Sequence, residues 1–130
     1  MSIPAGLKFT KTDEWVSVNQ NIATIGITDY AQNQLSDVVF VEVIFSIGQT
    51  VKKGTTCASV ESVKAAADVT LPVSGKVTEI NTSLPDSPEL VNSDPFGAAW
   101  MLKVELSSPA ELNDLMDEAA YQKYCQEREH

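Results

Sequence analysis

Histidine and cysteine are nearly absent from this sequence, with one of the first and two of the second in 130 residues. The lone His130 is the last residue, and Cys57 and Cys125 lie far apart with no C-x-x-C pair. A zinc or haem site built from these residue types has too few ligands, so no metal is expected. Each cysteine reads as a small core or surface residue. Long apolar runs are missing too. Stretches such as Asp37-Val-Val-Phe-Val-Glu42 fall far short of the roughly 20 residues that a membrane span needs. Met1-Ser-Ile-Pro-Ala-Gly-Leu-Lys8 has no basic n-region, no apolar h-region and no Arg-rich pattern. The expected compartment is the bacterial cytoplasm, with the mitochondrial matrix as the alternative for a processed chain.

Positive charge is scarce. Lys and Arg number 9 against 18 Asp and Glu, for a formal net charge of −9 and a pI near 4.4. Such a surface repels phosphate backbones and anionic lipid, so neither nucleic acid nor a membrane is an expected partner. What is present is ordinary globular composition, 43% hydrophobic and 21% charged, which excludes wholesale disorder. A chain of this size buries roughly two-thirds of its unfolded surface. One domain over 1–130 is expected, with a β-rich core over about 7–106 and a helical segment over about 108–126.

Local patterns support a mainly β fold. Glu14-Trp-Val-Ser-Val18 and Ile22-Ala-Thr-Ile-Gly-Ile27 flank Asn19-Gln-Asn21, polar residues able to take left-handed geometry at a hairpin tip. Thr28 and Asp29 suit a helix start, and Ala31 and Leu35 sit four apart, so a short helix is predicted there. Val38-Val-Phe-Val-Glu-Val-Ile-Phe45 is the strongest strand pattern, and Gly48 then opens a turn. Further strands are predicted over Thr56–Glu61, Val69–Val73, Lys76–Ile80 and Trp100–Leu106. Asn81 to Pro95 reads as a surface loop with one helical turn at most. Ser108-Pro-Ala-Glu111 has the form of a capping box, and Leu112, Leu115, Met116, Ala119 and Ala120 recur at helical spacing. One or two helices are expected there, with fraying from Gln126 to His130. Short strands with regular turn signals indicate a sandwich or barrel.

The most unusual segment is Val60-Glu-Ser-Val-Lys-Ala-Ala-Ala-Asp68. Lys64 is the only basic residue between Lys53 and Lys76, and small residues follow it. The flanking runs suit a hairpin, with Lys64 at or beside its tip. There it is an accessible nucleophile that small neighbours allow an enzyme to approach. By spacing alone, a solvated surface lysine is the simpler reading.

Glu61-Ser-Val-Lys-Ala65 resembles the lipoylation motif of the glycine cleavage system H-protein family. Five further blocks agree in order: Glu14-Trp15; Ala23-Thr-Ile-Gly-Ile-Thr-Asp-Tyr-Ala-Gln32; Asp37-Val-Val-Phe-Val-Glu42; Pro72-Val-Ser-Gly75; and Ser87-Pro-Glu-Leu-Val-Asn-Ser-Asp-Pro-Phe-Gly97 ending at Trp100. The resemblance runs from about Leu7 to Tyr124. Asp13 stands where the family usually has His, Ala99 where it commonly keeps Gly, and Val43-Ile-Phe-Ser-Ile47 where a Pro is usual. None of these touches the lysine loop.

This resemblance implies a barrel-sandwich hybrid of the lipoyl/biotinyl type, with a short internal helix and C-terminal helices. It implies lipoic acid in amide linkage on Lys64 of a carrier that is not itself an enzyme. The implied partners are a pyridoxal-phosphate glycine decarboxylase (P protein), a tetrahydrofolate-dependent aminomethyltransferase (T protein) and an FAD- and NAD-dependent dihydrolipoyl dehydrogenase (L protein). A lipoate ligase or lipoyl/octanoyl transferase would modify the lysine, and a monomer suits such a shuttle. Glu61, Ser62, Val63 and Ala65 would serve recognition of the modification loop, and Glu14 would hold the amine carried by the arm. Outside the resemblance, Glu14 reads as a solvated strand residue, and Trp15 and Trp100 as core anchors.

Two related carriers fit less well. Lipoyl domains of 2-oxo acid dehydrogenases usually have Asp before the lysine, where this chain has Val63, and biotin carriers usually flank it with Met. An H-like donor that passes lipoate to 2-oxo acid dehydrogenase complexes uses the same loop and stays open as the alternative.

Overall fold

Short β-branched and aromatic runs cut by turn formers build a β-rich molecule, described over residues 6–128 by a computed structural model. Its strands are β1 (Lys8–Phe9), β2 (Glu14–Asn19), β3 (Ile22–Ile27), β4 (Val38–Val43), β5 (Thr50–Val51), β6 (Thr56–Ser62), β7 (Ala66–Thr70), β8 (Gly75–Ile80) and β9 (Leu102–Leu106). The helices are α1 (Asp29–Leu35), α2 (Leu90–Ser93) and α3 (Glu118–Arg128), with a 3-10 helix over Pro109–Asp114. One antiparallel sheet has the order β1-β2-β3-β9-β8-β5, and a second has the order β4-β6-β7. Neither closes into a barrel. They meet as a sandwich over Val16, Ile25, Val41, Val60, Leu71, Val77 and Leu102, so the expected mainly β architecture is present in its sandwich form.

Several local signals act as read. Gln20 and Asn21 carry φ of 50° and 67° at the β2–β3 tip, the left-handed pair that a two-residue hairpin loop favours. Thr28 caps α1, its hydroxyl accepting the Ala31 N–H at 3.2 Å. The stretch from Asn81 to Pro95 holds the single turn α2. It is less superficial than expected, because Leu84 and Val91 lie in the core.

Other expectations are corrected. The β4 pattern stops at Val43 rather than Phe45, and β9 starts at Leu102 rather than Trp100. Ala66, Ala67 and Asp68 belong to β7, because Glu61, Val60 and Ser59 pair with them. Two-residue strands β1 and β5 were too short to show a period. The Ser108 capping box does not form: Ser108 makes no capping bond, and the Glu111 carboxylate instead accepts the Ser74 N–H at 2.7 Å and its hydroxyl at 2.9 Å. A neighbouring strand end offers Glu111 two donors in one place, which outcompetes the local box. Ala119 and Ala120 face outward, and Gln126 to Arg128 stay helical rather than fraying, while Glu129 and His130 lie outside the described residues.

The C-terminal segment is held by Tyr121 instead. Phe9 and Met116 exchange backbone hydrogen bonds at 2.8 Å each way. Phe9, fully buried, stacks on Tyr121 with centroids 4.6 Å apart and planes 7° off parallel. Trp15 joins this second core and donates to the Pro95 carbonyl at 2.9 Å, so it anchors as expected. Trp100 is only half-buried, with the Lys103 ammonium 5.1 Å from its ring.

Gly75 is where the sandwich tolerates no side chain, since a Cβ there would lie 1.9 Å from the Glu105 carbonyl oxygen. Backbone cannot yield as a flexible side chain does. Gly75→Ala is expected to cost about 3 kcal/mol in urea unfolding, and a loss under about 1 kcal/mol would mean that β8 and β9 can part locally.

Candidate functional site

The β6–β7 hairpin presents Lys64 on a two-residue tip. Ser62 N–H donates to the Ala65 carbonyl at 2.7 Å, and the Ser62 hydroxyl accepts the Ala65 N–H at 3.0 Å and the Lys64 N–H at 3.4 Å. Neither Val63 nor Lys64 has a positive φ. Two-residue hairpin loops usually need left-handed residues, and here the serine hydroxyl satisfies the amides that such geometry would otherwise serve. The Val63 N–H donates to the Asp37 carbonyl at 3.1 Å, tying the tip to the start of β4. Glu61, Val63, Lys64 and Ala65 are exposed, Val63 at 69%. Neither strand of the hairpin carries another lysine.

Below the tip lies a mostly apolar cleft of about 170 Å³ between the two sheets. Thr12, Glu14 and Ile27 come from the larger sheet side, Leu35 from α1, and Val60 and Ala67 from the hairpin. Ala67 is three residues from Lys64, roughly 10 Å along an extended strand. A wider groove of about 250 Å³ runs beside Phe40 and Pro85, where Glu42 is exposed. The smaller cleft has a buried carboxylate at its wall.

That carboxylate is Glu14, only 1% exposed, which removes the reading of a solvated strand residue. Thr10 and Thr12 hydroxyls each donate to its Oε1 at 2.5 Å, and the Thr70 N–H of β7 donates to Oε2 at 3.2 Å. Burial pushes its pKa up, the three hydrogen bonds work in the opposite direction, and the charge of Asp13 adds to the rise. An ionised Glu14 is thus short of counter-charge, and a cation entering the cleft would find it. Cys57, buried on β6, has its thiol pushed up to about 12 by burial and by Glu14, so it stays neutral.

The structure therefore places Lys64, Glu61, Ser62, Val63 and Ala65 together on one tip, with Glu14 on the cleft wall beneath. Sequence reasoning missed Thr10, Thr12 and Thr70 as holders of Glu14. Thr10 and Thr12 lie close to it in sequence, but nothing there signals that their hydroxyls turn inward.

The family model described as "Glycine cleavage H-protein" matches residues 7–128. The chain belongs to this family. A "Glycine cleavage system H protein" of Thermotoga maritima is 55% identical over 118 residues, 91% of this chain and 94% of the relative. A mitochondrial protein of that name from Mesembryanthemum crystallinum is 51% identical over 95% of this chain and 75% of its own length. The crystal structure of a glycine cleavage system H protein from Mycobacterium marinum superposes with a TM-score of 0.84 at 30% identity, covering 98% of this chain and all of that one. These H-protein relatives do not favour the lipoyl-donor alternative. No helix among the described residues is long and apolar enough to cross a membrane.

A raised pKa makes Glu14 a stabilising group only while it is protonated. Its contribution is complete below its unfolded value of about 4.5 and is lost as pH rises through the higher folded value. Relative to Glu14→Gln, the native protein is expected to lose stability over that interval. Denaturant unfolding at several pH values reads the difference, and a difference that runs the other way would mean Glu14 is stabilised as an anion.

Proposed function

We propose that this chain carries lipoic acid in amide linkage on Lys64 and acts as a non-catalytic shuttle, the whole chain forming one carrier unit. The observation that supports this best is Lys64 standing exposed on a tightly bonded two-residue tip, with a cleft beneath it. Lipoic acid supplies the disulfide chemistry and the group-carrying sulfur. The chain's own residues mount it: Ser62 stiffens the turn, Ala65 and Ala66 leave room for an approaching active site, and Glu61 offers the modifying enzyme a charge to recognise. Amide formation also removes one positive charge, leaving an apolar arm on a more acidic protein.

Glu14 and the cleft give the arm a resting place. Its carboxylate would pair with a cationic amine at the arm's end, while Ile27, Leu35 and Val60 exclude water that would attack it. The proposed partners are a glycine decarboxylase with pyridoxal phosphate, a tetrahydrofolate-dependent aminomethyltransferase, a flavin dihydrolipoyl dehydrogenase using NAD, and a lipoate ligase or lipoyl/octanoyl transferase. An acidic carrier meets basic entrances on such partners quickly and leaves as quickly, which suits a monomer. A cytoplasmic setting, or the mitochondrial matrix, would supply them.

Intact mass and peptide mapping after expression with lipoate are expected to find one lipoyl addition, on Lys64. Lys64→Arg is expected to abolish it, and Glu61→Lys to lower it several-fold with folding unchanged. An unmodified Lys64, with the ligase active on another lipoyl domain, would overturn the assignment. For the cleft, Glu14→Gln is expected to speed loss of the carried amine from the loaded protein. An unchanged rate would remove Glu14 from that role.

A further inference from the structure

The turn that holds Glu14 is itself held from outside the sandwich. Thr10 and Thr12, the two hydroxyl donors, belong to the segment between β1 and β2, which ends at Asp13 with a left-handed φ of 73°. That conformation is uncommon outside glycine, though Asp tolerates it better than most residues, and here its surroundings hold it in place. They do so from α3. Arg128, the sole arginine of the chain, pairs with the Asp13 carboxylate, and its other nitrogen donates to the Lys11 carbonyl at 3.4 Å. The same carbonyl accepts the Tyr124 hydroxyl at 3.1 Å. The guanidinium sits 3.9 Å from the centroid of Tyr30 and 4.5 Å from that of Tyr124, so α1 and α3 clamp it from two sides.

A hydrogen-bonded relay completes the clamp. Burial, with the Asp13 carboxylate, holds the Tyr121 phenol protonated, and it donates to Asp13 at 2.8 Å while meeting the Thr28 hydroxyl at 2.7 Å. Thr28 in turn caps α1, whose Ala31 and Leu35 line the cleft. Of Arg128, Tyr30, Tyr121, Tyr124, Thr28 and Asp13, only Asp13 lines the cleft itself.

We propose that Arg128 is a positioning residue for Glu14: from the end of α3 it fixes the 10–13 turn, and through it the two hydroxyls that set the carboxylate in the cleft. Its consequence for the arm rests on the cleft being the arm's resting place. Electrostatics adds to position. The ionisable groups facing Glu14 are Asp13 on its own turn, Asp68 on β7 and Cys57 on β6, while α1 presents Ala31, Gln34 and Leu35. Asp13 already raises the Glu14 pKa, and Arg128, paired with that carboxylate, offsets part of its charge, so removing Arg128 leaves Asp13 to bear on Glu14 more strongly.

The test is a carboxyl NMR titration of Glu14 in the unlipoylated protein, with exchange of the Asp13 and Glu14 amides that the turn holds on Thr10, for the native chain, Arg128→Gln and Arg128→Lys. For Arg128→Gln the Glu14 midpoint is expected to rise by about half a unit to one unit, and the two amides to exchange at least tenfold faster. Arg128→Lys is expected to restore most of the midpoint and less of the protection, because a lysine keeps the charge but not the stacked fork. Phe9 and Tyr121 still dock α3 in both variants, and global unfolding monitors that. An unmoved midpoint with unchanged exchange in Arg128→Gln would overturn the proposal.

The loaded, lipoylated protein then separates the two ideas. Faster amine loss in both Arg128→Gln and Glu14→Gln, with no further gain in the double variant, supports positioning through Glu14. Faster loss in Glu14→Gln alone refutes it. If neither variant changes the loss while the titration and exchange still respond to Arg128, positioning stands and the resting-place role of the cleft falls.

Discussion

Glu14 is an acid sealed between two sheets, and the groups that satisfy it come from two separate parts of the chain. Thr10 and Thr12 reach it from the turn after β1, and the Thr70 amide reaches it from the hairpin sheet. Taking a carboxylate out of water costs several kcal/mol even after relaxation. Hydrogen bonds to a charged acceptor return about 1.5–3 kcal/mol each. The balance is close only if all the donors are in place at once. The relative setting of the two sheets, the shape of the 10–13 turn and the width of the cleft are therefore solved together rather than separately.

The same reasoning explains why the second core exists. A two-residue strand such as β1 has little hold of its own, yet it precedes the turn that carries two of the donors. Phe9 anchors it by stacking on Tyr121, and Met116 pairs with it backbone to backbone. Burying two such aromatic rings against each other is worth several kcal/mol. The C-terminal helix is thus the outer wall of the turn, although its sequence shows no strong apolar face.

How much of this was legible depended on range. The hairpin at Gln20 and Asn21, the Thr28 cap and the exposed Lys64 tip rest on signals within a few residues, and each was readable. Lys64 stood out because no other base lies between Lys53 and Lys76. The failures have one cause. Glu111 abandoned a sound local capping box for Ser74, and Tyr121 rather than Ala119 or Ala120 became the buried face of α3. Glu14 gave no local sign that it would be buried, since its donor Thr70 lies on a different sheet. Partners brought together by the fold leave no spacing to read, and in those places tertiary competition overrode the local rule.

The turn that Ser62 closes decides where the reach of Lys64 comes from. A lysine on a glycine-rich loop would borrow reach from the loop, and its side chain would wander with the backbone. Here Ser62 bonds across the turn to Ala65 and accepts the Lys64 N–H, so the backbone is braced and the reach of Lys64 comes mainly from its side chain. The volume that an attached group explores is then set mainly by the length of the arm. For a group carried there as proposed, the local concentration at a docked active site would depend on covalent length and docking geometry. One mount of this kind can present the same concentration to successive partners.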